Sequence, residues 1–531
     1  VWIAVDHLVT PVKNIPENLA DLDSNLRPSI ARELKINAID VLEYKIIRKT
    51  IDARKKNNLH FIFNLRVRLA DSLHQKFTEA PPEKKHGMDE IATKKSLPQN
   101  PIVVGSGPAG LMAAYLLAEY GCNPIVIERG REVNKRHDDI DDFHKTRQLD
   151  PESNYLFGEG GAGTYSDGKL YTGLKDNRIK YILETFAAAG APKQILYLKR
   201  PHIGSDILPE MVKNIRMQIR SMGGTFLWNS RVDQIMLKDG KCKGVILANG
   251  EKLEAPLTIL AHGLSARDLT AKLIGDMDFK LKDFQIGCRI EHSQSFVNQI
   301  QYGMDPLPAF LDPAEYNFTS RPQGNRNIAQ ATTFCMCPGG EIIPATNIEG
   351  QLSTNGMSRF AREGIFANAS IIVNQKAENF SSPDHAFEFI NSLEKKAYEA
   401  GGGNYACPAQ GAYAFVRGEE GLPIFESSYR FGLKSDRIDE MLPQKTTEAI
   451  REALAHFEKL APGFMTSGTI VGIETHVSSP VRFLRNPETL ESSAKNLYIV
   501  GEGAGCAGGI ISSALDGLKI AQGILTETSL N

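Results

Sequence analysis

The clearest apolar pattern in the chain runs from Pro101 to Gly130, PIVVGSGPAGLMAAYLLAEYGCNPIVIERG. The triplet Ile102-Val103-Val104 has the form of a strand buried on both faces. From Leu111 to Tyr120 the spacing becomes helical, with Leu111, Ala114, Tyr115 and Ala118 on one face. Ile125 to Ile127 is a second buried strand, closed by Glu128. Pro101 to Ala118 carries no charge, but its three glycines and two prolines predict strand–turn–helix rather than a membrane span.

Before this unit, residues 1–72 read as a small α+β module. A short helix is expected over residues 28–36 and strands over 41–47 and 59–69. In the last of these Phe61, Phe63, Leu65, Val67 and Leu69 alternate onto one face. The basic stretch between the strands, IRKTIDARKKNN, reads as a solvated turn rather than an RNA-docking surface. Residues 73–100 are polar and weakly patterned, as in a linker. After Glu128 a charged stretch to Pro151 is expected to be helical, as are 178–189 and 207–222. A β-meander follows, with turns at Asp239-Gly240 and Asn249-Gly250, and a strand over 257–261 ends in His262-Gly263. Residues 275–470 mix short strands and helices without a second GxGxxG and read as a substrate or cap domain. A strand over 496–500 and a helix from about Gly509, with Ala514, Leu518, Ala521 and Ile524 inward, close the chain. The expected organisation is therefore a module (1–72), a linker (73–100), a nucleotide-binding domain in two parts (101–274 and 471–531) and an inserted cap (275–470).

The glycines turn this pattern into chemistry. Gly105, Gly107 and Gly110 follow the first strand at GxGxxG spacing: the first allows the turn, the second a close approach to a pyrophosphate, the third tight helix–sheet packing. Pro108 and Ala109 open the helix, whose N-terminal N–H groups favour phosphate. Glu128, with Arg129 beside it, stands where a carboxylate can accept hydrogen bonds from an adenosine ribose. The loop FGEGGAGTYSDGKLYTG, residues 157–173, is expected to approach the cofactor through Gly160, Gly161, Thr164, Ser166 and Lys169. Val232, Ala261 and Gly263 are placed beside the nucleotide. The second acid, Glu502 between Gly501 and Gly503, precedes a helix N-terminus at Gly509, Ile510 and Ile511. That half suits the ring and ribityl side of a flavin, where a helix dipole stabilises the reduced form. Non-covalent FAD is the expected cofactor, with NAD(P)H as a transient reductant and no metal.

Bulk properties narrow the partners. A net charge of −2 gives no general attraction for nucleic acid or membrane, so a small-molecule substrate is expected. Seven scattered cysteines form no disulfide framework, and no signal peptide is evident, which points to a reducing, cytoplasmic setting. Cys335 and Cys337 could be a redox pair, closing a disulfide only in a turn such as Pro338-Gly339-Gly340 permits. They are read first as small buried residues. His476 is a candidate proton donor near neutral pH.

The segments VGSGPAGLMAA with VIERG, FGEGGAGTYSDGKLYTG, ILAHGLSARD, TFCMCPGG and YIVGEGAGCAGGIISSALDGLKIA resemble a bacterial family described as uncharacterised FAD-dependent, or NAD(FAD)-utilising, dehydrogenases. More distantly they resemble glutathione-reductase-type FAD folds. The resemblance implies an α/β fold: a discontinuous, glutathione-reductase-type, Rossmann-like FAD-binding domain, an inserted α+β cap and the N-terminal module. It also implies an FAD-dependent oxidoreductase exchanging a hydride between flavin N5 and an organic substrate or NAD(P)H. An RNA-linked flavoprotein and a flavin redox sensor without turnover are the alternatives. In VGIETHVSSPVR, His476-Val477 stand where relatives more usually carry Arg-Thr.

Overall fold

The computed structural model describes residues 2–16, 21–56, 58–82, 88, 96–320, 328–421 and 426–526, so much of the expected linker lies outside the described residues. At its centre is a five-stranded sheet in the order Leu497–Ile499, Thr258–Leu260, Ile102–Val104, Ile125–Ile127, Thr225–Leu227. Every neighbouring pair is parallel. Such strands are covered on both faces, which is why they are short uninterrupted apolar runs rather than alternating ones. The edge strand comes from the C-terminal end of the chain, which makes this domain discontinuous.

One face is covered by the helices Pro108–Glu119, Arg178–Ala188, Leu208–Ser221 and Ile510–Leu525, whose side chains form one buried cluster. The first of these starts three residues before the apolar periodicity does, with Pro108 at its first position, where the missing N–H costs nothing. It packs directly on the C-terminal helix, and a Cβ at Gly517 would collide with the Ala109 carbonyl. The meander Val232–Lys238, Lys241–Leu247 and Lys252–Glu254 covers the other face. The charged stretch after Glu128 forms the helix Val133–Thr146.

The cap is a six-stranded sheet in the order Ala331–Cys337, Phe366–Gln375, Phe284–Ser293, Thr469–Glu474, Cys407–Gly411, Leu433–Ser435. Its pairings are antiparallel except the last. The helices Pro383–Ala400 and Gln444–Leu460 bury apolar stripes against it. The boundary expected at 470 falls inside a strand, because Ile470 and Val471 pair with Ile290 and Arg289 of the cap. The crossing between domains is a two-stranded ribbon, Phe279–Leu281 against Val481–Phe483, where the chain leaves and re-enters the nucleotide domain.

The N-terminal module is a three-stranded antiparallel sheet, Trp2–Pro11, His60–Leu69, Val41–Asp52, with the helix Arg27–Leu34. The first strand escapes detection because its alternation is broken by an irregularity between Val5 and Leu8, with His7 at φ 60°. The module is not separate: its apolar residues join the cap core in one cluster, and the Phe61 and Phe310 rings lie 6.4 Å apart. Its basic strand is engaged internally. Lys49 pairs with Asp23, and its backbone bonds to Tyr197 and Lys199 of the nucleotide domain. Among the described residues no helix is long and apolar enough to cross a membrane.

The turn after the first strand carries the tightest constraint. Gly105 sits at φ +99°, and a Cβ there would strike the Ala261 carbonyl. Gly105→Ala is therefore expected to destabilise the protein by about 2–4 kcal/mol, combining backbone strain with overpacking. Urea unfolding of the variant and the parent measures this.

Candidate active site

A cavity of about 490 Å³ lies between the carboxyl ends of the parallel strands and the edge of the cap sheet. This is where open α/β sheets bind ligands, because loops diverge there and helix N-termini converge. Three strand ends build the floor. After Ile102–Val104 come Gly105 and Gly107, and Gly107 faces open space: a Cβ there would meet no atom within 4 Å. After Thr258–Leu260 come Ala261 and Gly263, and after Leu497–Ile499 come Gly501 and Glu502. Two helices start at this floor with glycine N-caps, Gly107 and Gly509, and neither has a side-chain cap. Their unsatisfied N–H groups favour negatively charged ligand atoms.

Glu502 borders the cavity, and among the described residues no protein donor reaches its carboxylate. Burial, only partly offset by Lys282, pushes its pKa up to about 8. A carboxylate left without donors beside an open cavity fits a hydroxyl-rich ligand that supplies them. Together with the uncapped helix starts and the bare Gly107, this donor set fits FAD.

Glu128, which borders the cavity, is also bonded within the protein. One oxygen accepts from Ser106 N at 2.9 Å and Ser106 Oγ at 2.7 Å; the other accepts from Gly130 N at 3.0 Å and Gly158 N at 3.2 Å. These four donors tie the glycine turn to the 157–173 loop while Glu128 still borders the cavity. Arg129 lies over the Phe157 ring at 4.0 Å and is held by Glu152 and Asp268. The loop itself is organised by Arg136, fully buried, whose guanidinium donates to the carbonyls of Asn154, Glu159 and Gly161. This brings Gly161 against Gly107, where a Cβ on Gly161 would lie 3.2 Å from the Gly107 Cα.

The cap, together with Lys169 of the nucleotide domain, supplies the opposite wall. Lys169 donates to the Met336 carbonyl and lies 3.8 Å from Glu315, which also pairs with Arg200. Burial opposes the charge of Lys169, but Asp167, Tyr171 and Glu315 outweigh it and raise its pKa. Behind this wall Arg289, with no exposed surface, pairs with Glu474 and donates to the Cys335 carbonyl at 2.8 Å. Burial pushes the Glu474 carboxyl up to about 7 against the pull of Arg289.

Cys335 borders the cavity and is only partly buried, whereas Cys337 lies fully buried behind it. A bulge separates them: Phe334 pairs with Ser370 but Cys337 with Asn368, so the strand carries an extra residue, and Cys335 sits at φ +45°. Cys337 is thus buried, as expected of both cysteines, whereas Cys335 is turned to the cavity. His476 also borders the cavity, but it is not a proton donor near neutral pH. Burial and the neighbouring Arg267 depress its pKa to about 4, with Arg267 Nη2 3.3 Å and Glu394 3.4 Å from Nε2.

Of the other expected residues, Pro108, Ala109, Ser166, Val232 and Ile510 line the same cavity. Gly110 lies behind it, against the Gly105 carbonyl. Gly160 and Thr164 also lie off it; Thr164 Oγ1 donates to the Glu159 carbonyl at 3.0 Å. Ile511 is in the helix core. Not anticipated from sequence were the Arg289–Glu474 pair, Glu315, and Asp167 with its partner Arg362. Their members lie far apart in the chain, with no motif between them. Only Asp167 falls inside the glycine-rich loop that composition singles out.

Residues 100–137 match an FAD binding domain, 283–477 match the family described as "FAD-dependent protein, C-terminal domain-like", and 13–68 match a domain of unknown function. An "Uncharacterized protein" of Clostridium beijerinckii is 39% identical over 98% of this chain and 99% of its own length. Among solved structures, CtdE in complex with FAD aligns at 14% identity over 80% of this chain and 83% of its own, with a TM-score of 0.33. L-proline dehydrogenase from P. horikoshii aligns at 11% identity over 81% and 96%, also with a TM-score of 0.33.

Glu502 yields a pH-dependent prediction. Its pKa is raised by folding from the ordinary 4.5 to about 8, so between those values the folded apoprotein binds more protons than the unfolded chain. Its contribution to stability is present below pH 4.5 and is lost as pH rises toward 8. Apo Glu502→Gln, which cannot ionise, is therefore expected to exceed the apo parent in stability at pH 8 by on the order of 1 kcal/mol or more. The advantage should vanish near pH 4.5, as followed by urea unfolding at several pH values.

Proposed function

We propose that this chain, which belongs to the same family as the uncharacterized C. beijerinckii protein, is an FAD-dependent oxidoreductase acting on a small organic substrate held on the cap side of the cavity. The observation that supports this most is the two-sided cavity: glycine turns and uncapped helix starts on one wall, charged and hydrogen-bonding cap side chains on the other. The cofactor's ring supplies two-electron chemistry. The protein's part is binding, orientation and proton control.

The turn at Gly105–Gly107 and the Pro108 helix start would receive the pyrophosphate, while Glu502 would accept from ribityl or ribose hydroxyls. Lys169 and Asn355, from opposite domains, can orient a polar or anionic substrate group. Glu474, with a pKa of about 7, can hold or release a proton at the cavity wall. No second dinucleotide fingerprint is present in the sequence, so NAD(P)H, where it serves as donor, would dock transiently in the open cavity.

The purified chain is expected to be yellow, to carry one FAD, and to release it on heating. Anaerobic mixing with NADH, NADPH and candidate organic donors should show one class of compound that bleaches the flavin at a saturating rate. A colourless protein that takes up no FAD on reconstitution would overturn the assignment. Bound FAD that photoreduces but responds to no donor or acceptor would favour a sensor without turnover.

A further inference from the structure

The two cysteines of the cap edge are not used by the chemistry above, yet one of them faces the same cavity as the cofactor-binding floor. We propose that Cys335 and Cys337 are a dithiol–disulfide pair, with Cys335 attacking a disulfide-bearing substrate in the cavity and Cys337 resolving the product. The regeneration of the pair, though not the exchange itself, rests on the flavin reading given under Proposed function.

Four observations converge on this. First, Cys335 borders the cavity, whereas Cys337 is fully buried directly behind it, its sulfur 3.4 Å from the Cys335 carbonyl. A cavity-facing attacking thiol backed by a shielded second thiol is the arrangement that exchange needs. Second, the bulge holds Cys335 at φ +45°, an unfavourable conformation for a residue with a Cβ. The Arg289 guanidinium fixes that conformation by donating to the Cys335 carbonyl, and it lies 3.6 Å from the Cys337 sulfur. Third, Lys169, tied to the intervening residue through the Met336 carbonyl, places a second cation beside the pair. Fourth, the groups around Cys335 favour its thiolate. The adjacent Cys337 thiol, Lys169 and Arg289 together outweigh burial and the acidic Asp167, so its pKa lies below the ordinary thiol value while that of Cys337 lies above. Glu474 and Tyr171 beside Cys335, and Tyr316 beside Cys337, are further ionisable neighbours.

The step balances as thiol–disulfide exchange. Cys335 thiolate attacks one sulfur of the substrate RS–SR, breaking that bond and expelling RS⁻, which takes up a proton. Cys337, giving up its proton, then attacks the Cys335 sulfur of the mixed disulfide and expels the second RS⁻. The substrate gains two electrons and leaves as two thiols, and the pair is left as a disulfide. FAD, when bound and reduced, would supply the two electrons and one proton that return the pair to one thiolate and one thiol. A nicotinamide or protein donor would replenish the flavin.

The test uses the full FAD-loaded chain and 4,4′-dithiodipyridine as the disulfide probe. In wild type, thiopyridone release should be followed by a Cys335–Cys337 disulfide, seen in the non-reducing peptide mass spectrum. Cys337→Ser should stop at a stable thiopyridyl adduct on Cys335, and Cys335→Ser should lose the rapid phase. Between pH 8 and about 6 the Cys335 reaction should hold its rate, whereas an ordinary thiol slows about tenfold per pH unit. FAD content read from the same samples separates the two claims. Bound FAD with no adduct on Cys335 in Cys337→Ser, or an undiminished rapid phase in Cys335→Ser, overturns the dithiol assignment and leaves the flavin reading intact. Failure to bind FAD overturns the flavin reading, while the exchange, repeated on the apoprotein, still decides the dithiol. Wild-type disulfide mapping needs no variant, so a variant that fails to fold does not rescue the proposal.

Discussion

The structure depends on a backbone approach that only glycine permits. Where the strand Ile102–Val104 turns into its helix, Gly105 presses against the Ala261 carbonyl and Gly110 against Gly105 itself. These contacts lock the ends of two neighbouring parallel strands and the start of a helix into one surface. The C-terminal strand is added at the sheet edge, bringing Gly501 and Glu502 to the same level, with Gly501 close to the Ala109 side chain. A floor of bare backbone N–H groups follows from this packing, an arrangement that in general favours phosphate. Glu128 reinforces the floor by taking four donors from three segments, so the loop that would cover a cofactor is fixed to the turn that would hold it.

The cap wall is built on a different principle. Arg289 and Glu474 are a buried ion pair on neighbouring strands of the cap sheet, and a buried pair contributes little net stability compared with a well-packed apolar core. What the pair does provide is placement: Arg289 fixes the bulge that turns Cys335 toward the cavity, and Glu474 reaches the cavity beside it. The cost in folding energy is local, while the benefit falls on the site. The ribbon of Phe279–Leu281 with Val481–Phe483 sets this wall against the floor.

The nucleotide half was legible from sequence because its signals are local. Glycine spacing, a buried triplet and a terminal acid all fall within thirty residues, and each has a mechanical reason to be there. The cap was not legible in the same way. Its sheet joins strands in the order 331, 366, 284, 469 and 407, so the partners of any one strand lie tens to hundreds of residues away. Cys335 shows the limit well. Its sequence context offered only a CxC before Pro-Gly-Gly, and its orientation comes from a bulge defined by pairing with Ser370 and Asn368. His476 shows the opposite failure: a histidine beside an apparent site suggested acid–base work, but burial against Arg267 keeps it neutral. The N-terminal strand was hidden by its own irregularity at His7.

The central claim is that one cavity, floored by the nucleotide domain and walled by the cap, holds the cofactor and presents Cys335 to the same space. A crystal structure of the FAD-saturated chain tests it most directly. The account predicts FAD density in this cavity, in contact with Gly107 and Glu502, with the remaining open volume reaching Cys335. FAD bound elsewhere, or a cavity closed off from Cys335 by the cap when FAD is bound, would contradict it.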